Sequence, residues 1–220
     1  MHGVHAAPSG ADRPRGSVQQ IDPGRPISDQ IEDWNSSDGP KTLGSLTDAF
    51  EEKAFAVVFV VLLGVPALPL PTGGATHVFE LVAMLLALQL IAGRGQVWLP
   101  QRWKRLKLDG PSQQKFVRAL LRAIRFLERF SRPRATWVFN HRLSNAVFGL
   151  LVLLLSIAAF VAPPFSGLDT LPALGAVLIS LSVLLEDIVL FWVGVIVGAG
   201  GVALEVILGK AAFNGIKSLF

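Results

Sequence analysis

The chain has 220 residues, 51% hydrophobic and 16% charged, where a soluble domain carries about 25% charged residues. It has no cysteine, which excludes disulfides, thiol catalysis and cysteine-ligated metals. The net charge of +4 hides a split: residues 1–54 hold five Lys/Arg against nine Asp/Glu, and residues 100–142 hold twelve against two.

Residues 1–26 are rich in Gly, Pro, Ser and charge, the composition of a disordered tail. No apolar signal-peptide core precedes residue 50, so the chain is expected to start in the cytoplasm and insert through internal segments. A short helix is predicted over 27–34, then a loop over 35–40. Thr42 is placed to cap a helix with Leu43, Leu46, Ala49 and Phe50 on one face.

Five apolar blocks follow, at residues 54–65, 78–93, 146–162, 171–185 and 188–204, the last open to extension past Glu205 to Gly209. A charge at mid-membrane costs roughly 2.5–3.5 kcal/mol, and these blocks carry almost none. Most are shorter than the ~20 residues that a bilayer core asks for. Pro69, Pro71, Gly73 and Gly74 break the chain after the first block; Pro163, Pro164 and Gly167 break it after the third. Short blocks with such breaks predict discontinuous or re-entrant helices. Residues 55–94 also align with 148–187 at an offset of 93, with eight identities and the same layout, which suggests an internal duplication. In that alignment Gln89 meets Ser182, and Arg94 meets Asp187.

Between the halves, Phe116, Leu120, Ala123, Ile124, Leu127 and Phe130 recur at helical spacing. Arg118, Arg122, Arg125 and Arg129 fall between them. This pattern predicts an amphipathic cationic helix in the membrane interface, its arginines on anionic headgroups. Trp98, Trp103 and Trp137 flank it and suit headgroup depth. The basic linker belongs on the cytoplasmic side by the orientation rule, and lies between apolar blocks rather than in a nucleic-acid-binding domain.

The expected architecture is therefore all-α and polytopic: two related hairpins of short or re-entrant helices, an amphipathic basic linker helix, and a C-terminal transmembrane helix. Residues 1–41 form the tail, 42–99 the first membrane half, 100–142 the linker, and 143–220 the second half with the last helix. Gly194 and Gly198 form a small-xxx-small pair, which permits close helix approach within the chain or in a homodimer.

No enzyme signature is present. His2, His5, His77 and His141 lack metal-ligand spacing, and neither a nucleophile elbow nor a Walker loop appears. Neither enzymatic activity nor a metal or cofactor is expected. What stands out instead is polar groups among apolar blocks: Glu80, Gln89, Arg94, Asp169, Glu186 and Asp187. Arg94 and Asp187 are expected to meet near a pseudo-symmetry axis beside Gln89, with the broken segments lining the same cavity. The alternative places Arg94, Glu186 and Asp187 at the headgroups as helix ends, and Glu80 at a membrane face.

Several motifs resemble the ExoD family. They are Thr42-Leu43-Gly44, Pro69-Leu70-Pro71, and the run from Leu88 through Gln89, Gly93 and Arg94 to Trp98-Leu99-Pro100. Pro163-Pro164-Phe165 before a second hydrophobic hairpin fits as well. The resemblance covers roughly residues 28–215. One departure is that Asp187 is followed by Ile188, where the family usually has glycine. The resemblance implies a bacterial inner-membrane protein involved in exopolysaccharide synthesis, as a small transporter or regulator. Two alternatives go with it: a scaffold for polysaccharide machinery, and a lipid or lipid-linked-sugar translocase with hairpins like those proposed for DedA-type proteins.

Overall fold

A computed structural model describes residues 25–50, 53–68, 76–108, 110–130, 142–163 and 166–217. The described residues form nine helices and no strand. These are α1 (Ile27–Ser36), α2 (Leu43–Ala49), α3 (Ala54–Gly64), α4 (Thr76–Ile91), α5 (Gln101–Lys104), α6 (Pro111–Phe130), α7 (Arg142–Val161), α8 (Thr170–Leu185) and α9 (Ile188–Lys217). The breaks at Pro69, Pro71, Gly73, Gly74 and Pro164 lie outside the described residues, as do Trp137, His2, His5, His141 and the first 24 residues.

Local chemistry sets the helix ends. Thr42 and Ser45 form a capping box: Thr42 Oγ1 accepts from Ser45 N at 3.2 Å, and Ser45 Oγ accepts from Thr42 N at 3.1 Å. Gly93, at φ 79°, ends α4, with Gly93 N donating to Leu90 O and Arg94 N to Gln89 O. That pair of bonds satisfies two carbonyls the helix would leave open. Glu186, at φ 53°, ends α8 in the same way, with Asp187 N donating to Ser182 O. Gly93 and Glu186 lie 93 positions apart, the offset of the sequence alignment. α9 continues beyond the predicted block, straight past Glu205 to Lys217.

The five apolar helices run antiparallel in order. Lys53, before α3, meets the last turn of α8. Gly149 on α7 packs on Ala87 and Ile91 of α4, and Phe160 on His77. Gly175 on α8 packs on Gly194 and Gly198 of α9. The bundle therefore has a Lys53 end and a Glu80 end. α3 is buried from Ala54 to Leu63 and α8 nearly as completely, so both are central.

The outer helices carry apolar stripes that nothing among the described residues covers. α4 exposes Val78, Leu81, Leu85 and Leu88; α7 exposes Leu143, Val147, Leu150, Leu154 and Ile157; α9 exposes Trp192, Ile196 and Ile207. Leu143–Val161 and Ile188–Ala211 are long and apolar enough to cross a membrane. Only 33% and 22% of these stretches is buried, whereas a core helix of a soluble protein would be mostly covered. The two helices suggest membrane association.

A second layer of α1, α2, α5 and α6 packs beside α3. After Gly93 the chain runs back along α4, clamped where the Gln89 side chain donates to Trp98 O (3.1 Å) and accepts from Trp98 N (3.0 Å). Further on, Trp103 stacks edge-on against Phe79. Leu43 N donates to Leu106 O and Leu108 N to Lys41 O, so the segment before α6 is stitched to the start of α2. Gly44 is needed there, because a Cβ would lie 3.0 Å from Lys104 O. On α6, Val117, Leu121 and Ile124 are buried in the common core, and the Phe116 ring fills the space over Gly64. Of the apolar face that the sequence assigns to lipid, Phe116, Leu120, Ile124 and Leu127 pack on protein, while Ala123 and Phe130 are exposed.

Candidate functional site

At the Lys53 end, most of the expected pathway residues hold the structure together. Lys53 Nζ donates to Leu184 O (3.1 Å) and pairs with Glu186 at 2.9 Å. Asp187 is 5% exposed, and its Oδ1 accepts from Val189 N (2.8 Å) and Leu190 N (3.3 Å), capping α9. Gln89 is the clamp on Trp98. Arg94 is exposed, and the ion pairs among the described residues include none between Arg94 and Asp187. The expected meeting of these two side chains is thus not seen, because the capping geometry turns Asp187 towards the start of α9.

Gly194 and Gly198 are spent inside the chain. A Cβ on Gly175 would stand 2.4 Å from Gly198 Cα, one on Gly194 2.8 Å from Ile179 N, and one on Gly198 2.7 Å from the Leu155 side chain. The two glycines thus let α9 seat on α8 and α7, and a homodimer draws no support from these positions.

The arginines of α6 are exposed. Arg125 pairs with Glu32 on α1, and Arg118 Nε donates to Gln114 O. Glu128 accepts from Ser28 N and Ser28 Oγ, which ties α1 to α6.

The Glu80 end has a different character. Glu80 is 0% exposed and is the one carboxylate on the largely apolar α4. Its Oε2 lies 2.8 Å from His77 Nδ1, and its Oε1 has no hydrogen-bond partner among the described residues. A buried carboxylate with an open oxygen is expensive, and so is a functional candidate by default. Ser156 of α7 is also 0% exposed with an unpartnered Oγ. The buried serines of α8 behave differently, since Ser180 and Ser182 donate back to Ala176 O and Ile179 O of their own helix.

Register brings Glu80 and Ser156 together. Residues seven apart share a helix face. Glu80 is seven before Ala87, and Ser156 seven after Gly149, the two positions where α4 and α7 touch. Gly149 also meets Ile91, and counting from Ala87 or from Ile91 sets Ser156 within about 6 Å of Glu80 along the axis at 1.5 Å per residue. Glu205, seven after Gly198, faces inward on α9 just beyond the start of α8, and its Oε1 is buried and unpartnered. Asp169, immediately before α8, is near enough to act electrostatically on both Glu80 and Glu205, and Glu80 on Glu205. The N-terminus of α8 opens into the same end. Glu80, His77, Ser156, Asp169 and Glu205 thus share one end of the bundle.

Of this group the sequence singles out Glu80 and Asp169. It misses His77, Ser156 and Glu205. The signal for His77 was its i,i+3 spacing to Glu80; the signal for Glu205 was a lone acid inside an apolar run. Among the described residues no group of three or more His, Asp or Glu could hold a metal ion.

A family model described as "Exopolysaccharide synthesis, ExoD" matches residues 27–207. "Uncharacterized protein slr1875" of Synechocystis sp. is 30% identical over 177 residues, covering 79% of this chain and 80% of that protein. No solved structure matches the chain.

Proposed function

The chain belongs to the ExoD family, which implies a role in exopolysaccharide synthesis, and from that premise we propose that it is a small multi-pass inner-membrane transporter serving that process. The observation that carries this reading is Glu80, a fully buried carboxylate with an open oxygen between apolar helices. A protein that only scaffolds others gains nothing from that arrangement, whereas a polar pathway through a bilayer needs it. The outward stripes on α4, α7 and α9 supply a lipid-facing surface. By the orientation rule the basic residues 100–142 belong on the cytoplasmic side. The matched left-handed helix ends at Gly93 and Glu186 support two related halves.

The test is flux of a lipid-linked or free polysaccharide precursor across proteoliposomes holding the full chain. Glu80→Gln abolishes flux while the protein remains inserted and monodisperse. Flux in Glu80→Gln equal to that of the wild type contradicts the assignment of the pathway.

One observation favours a second reading, a non-transporting scaffold. Much of the apolar face of α6 packs on protein, and Arg118, Arg122 and Arg129 form an exposed basic surface beside the exposed rings of Phe126 and Phe130, which suits an acidic partner or anionic headgroups. On that reading the Arg118, Arg122 and Arg129 to Gln triple variant loses exopolysaccharide output and Glu80→Gln does not.

A further inference from the structure

We propose that the Glu80 end holds an exchangeable monovalent cation, a proton or a sodium ion, bound by the Glu80 carboxylate with Ser156 Oγ as a neutral partner and Glu205 as the neighbouring acceptor. The inference deepens the transport reading: if transport holds, this is its coupling site.

The carboxylates alone would not carry it. Acidic residues near a helix end are common, and many are only solvated. The independent observation is Ser156. A buried hydroxyl in a helix usually donates back to its own backbone, as Ser180 and Ser182 do here. Ser156 leaves its oxygen open, on the stripe of α7 that meets the Glu80 stripe of α4. Glu80 Oε1 is open across that same interface. Two fully buried oxygens of different chemistry, at matching heights on packed helices and both unsatisfied among the described residues, mark a place for a small ligand that accepts electron pairs.

Charge selects the ligand. α3 and α8 contain no ionisable side chain, and the one on α7 is Arg142, at the opposite end. The ionisable groups around Glu80 are therefore His77 on its own helix, Asp169 before α8, and Glu205 on α9. Glu80 is fully buried, with the half-buried Asp169 and Glu205 at the same end, so the acids outnumber the one imidazole, and a cation relieves that excess. A divalent ion would ask for six or more oxygen ligands, and no group of three metal-binding side chains exists among the described residues. A proton needs one carboxylate, and a sodium ion can use a carboxylate with hydroxyl and backbone oxygens. His77, one quarter exposed at its side chain, connects Glu80 to the surface.

The experiment uses the full chain in detergent and dicyclohexylcarbodiimide as probe, which modifies protonated carboxyls in apolar surroundings, with the site read by peptide mass mapping. Glu80 is expected to be modified in acidic buffer. The rate is expected to fall by about tenfold per pH unit above the midpoint of the group. Glu80→Gln removes the modified peptide. Slower modification in sodium chloride than in choline chloride, with Ser156→Ala weakening that protection, identifies sodium as a second occupant; equal rates in the two salts assign the site to the proton alone. A Glu80 unmodified in acidic buffer, or modified at a rate indifferent to both pH and salt, overturns the proposal, provided size-exclusion profiles show a folded protein. Modification without precursor flux would keep the cation site and defeat transport, and flux without modification would do the reverse.

Discussion

His77 Nδ1 lies 2.8 Å from Glu80 Oε2, one turn along α4, and this is the one hydrogen bond that the Glu80 carboxylate makes among the described residues. Removing the imidazole leaves both carboxylate oxygens buried without a partner. His77→Ala is expected to destabilise the protein by about 1–3 kcal/mol. In the Glu80→Leu background the same change should cost much less, because no buried charge is left to satisfy. Thermal unfolding in detergent across this double-mutant cycle checks both statements.

The glycines of the last two helices divide into contact positions and open ones. Gly175→Ala forces a methyl into Gly198 backbone at 2.4 Å, with no flexible atom to yield. It is expected to destabilise by about 1–3 kcal/mol. Gly200→Ala meets nothing within 4 Å and is expected to be neutral or to stabilise by up to about 1 kcal/mol through helix propensity. Paired melting curves of the two variants are the measurement, and the sign difference between them is the point.

At the Lys53 end the polar residues are expected to behave as helix-end chemistry. Asp187→Ala removes the α9 cap and should cost about 1 kcal/mol, while Asp187→Asn should retain most of it. Arg94→Ala, at an exposed position, should stay within about 0.5 kcal/mol of the parent. Unfolding midpoints for the three variants, beside the flux assay, separate this capping role from a pathway role. Loss of flux in Arg94→Ala with unchanged stability would return Arg94 to the pathway.

Local structure was legible in the chain because local chemistry determines it. Thr42 announces a cap, Gly93 sits where a helix must turn left-handed, and Glu186-Asp187 marks the junction of two helices. The start of α9 at Ile188 was read from the same pair, but its end was not. Glu205 looks like a terminator in one dimension, yet it is an inward-facing residue on a helix that continues to Lys217. The same gap hides Ser156, whose meaning depends on Gly149 touching Ala87. Periodicity shows that α6 has an apolar face and does not say whether lipid or α1 covers it. Likewise Gly194 and Gly198 advertise a close approach without naming the partner, which is Gly175 of the same chain.

The absence of cysteine makes every introduced thiol unique, so the placement of the apolar stripes can be read one position at a time. Leu150→Cys and Ile196→Cys, on the outer faces of α7 and α9, are compared with Arg118→Cys on α6 for reaction with a water-soluble maleimide in intact membranes. The lipid-embedded account expects Arg118→Cys to react, and the other two to stay unreactive until the membrane is dissolved in a denaturing detergent. Reaction of Leu150→Cys and Ile196→Cys as fast as Arg118→Cys, before any detergent is added, would contradict it.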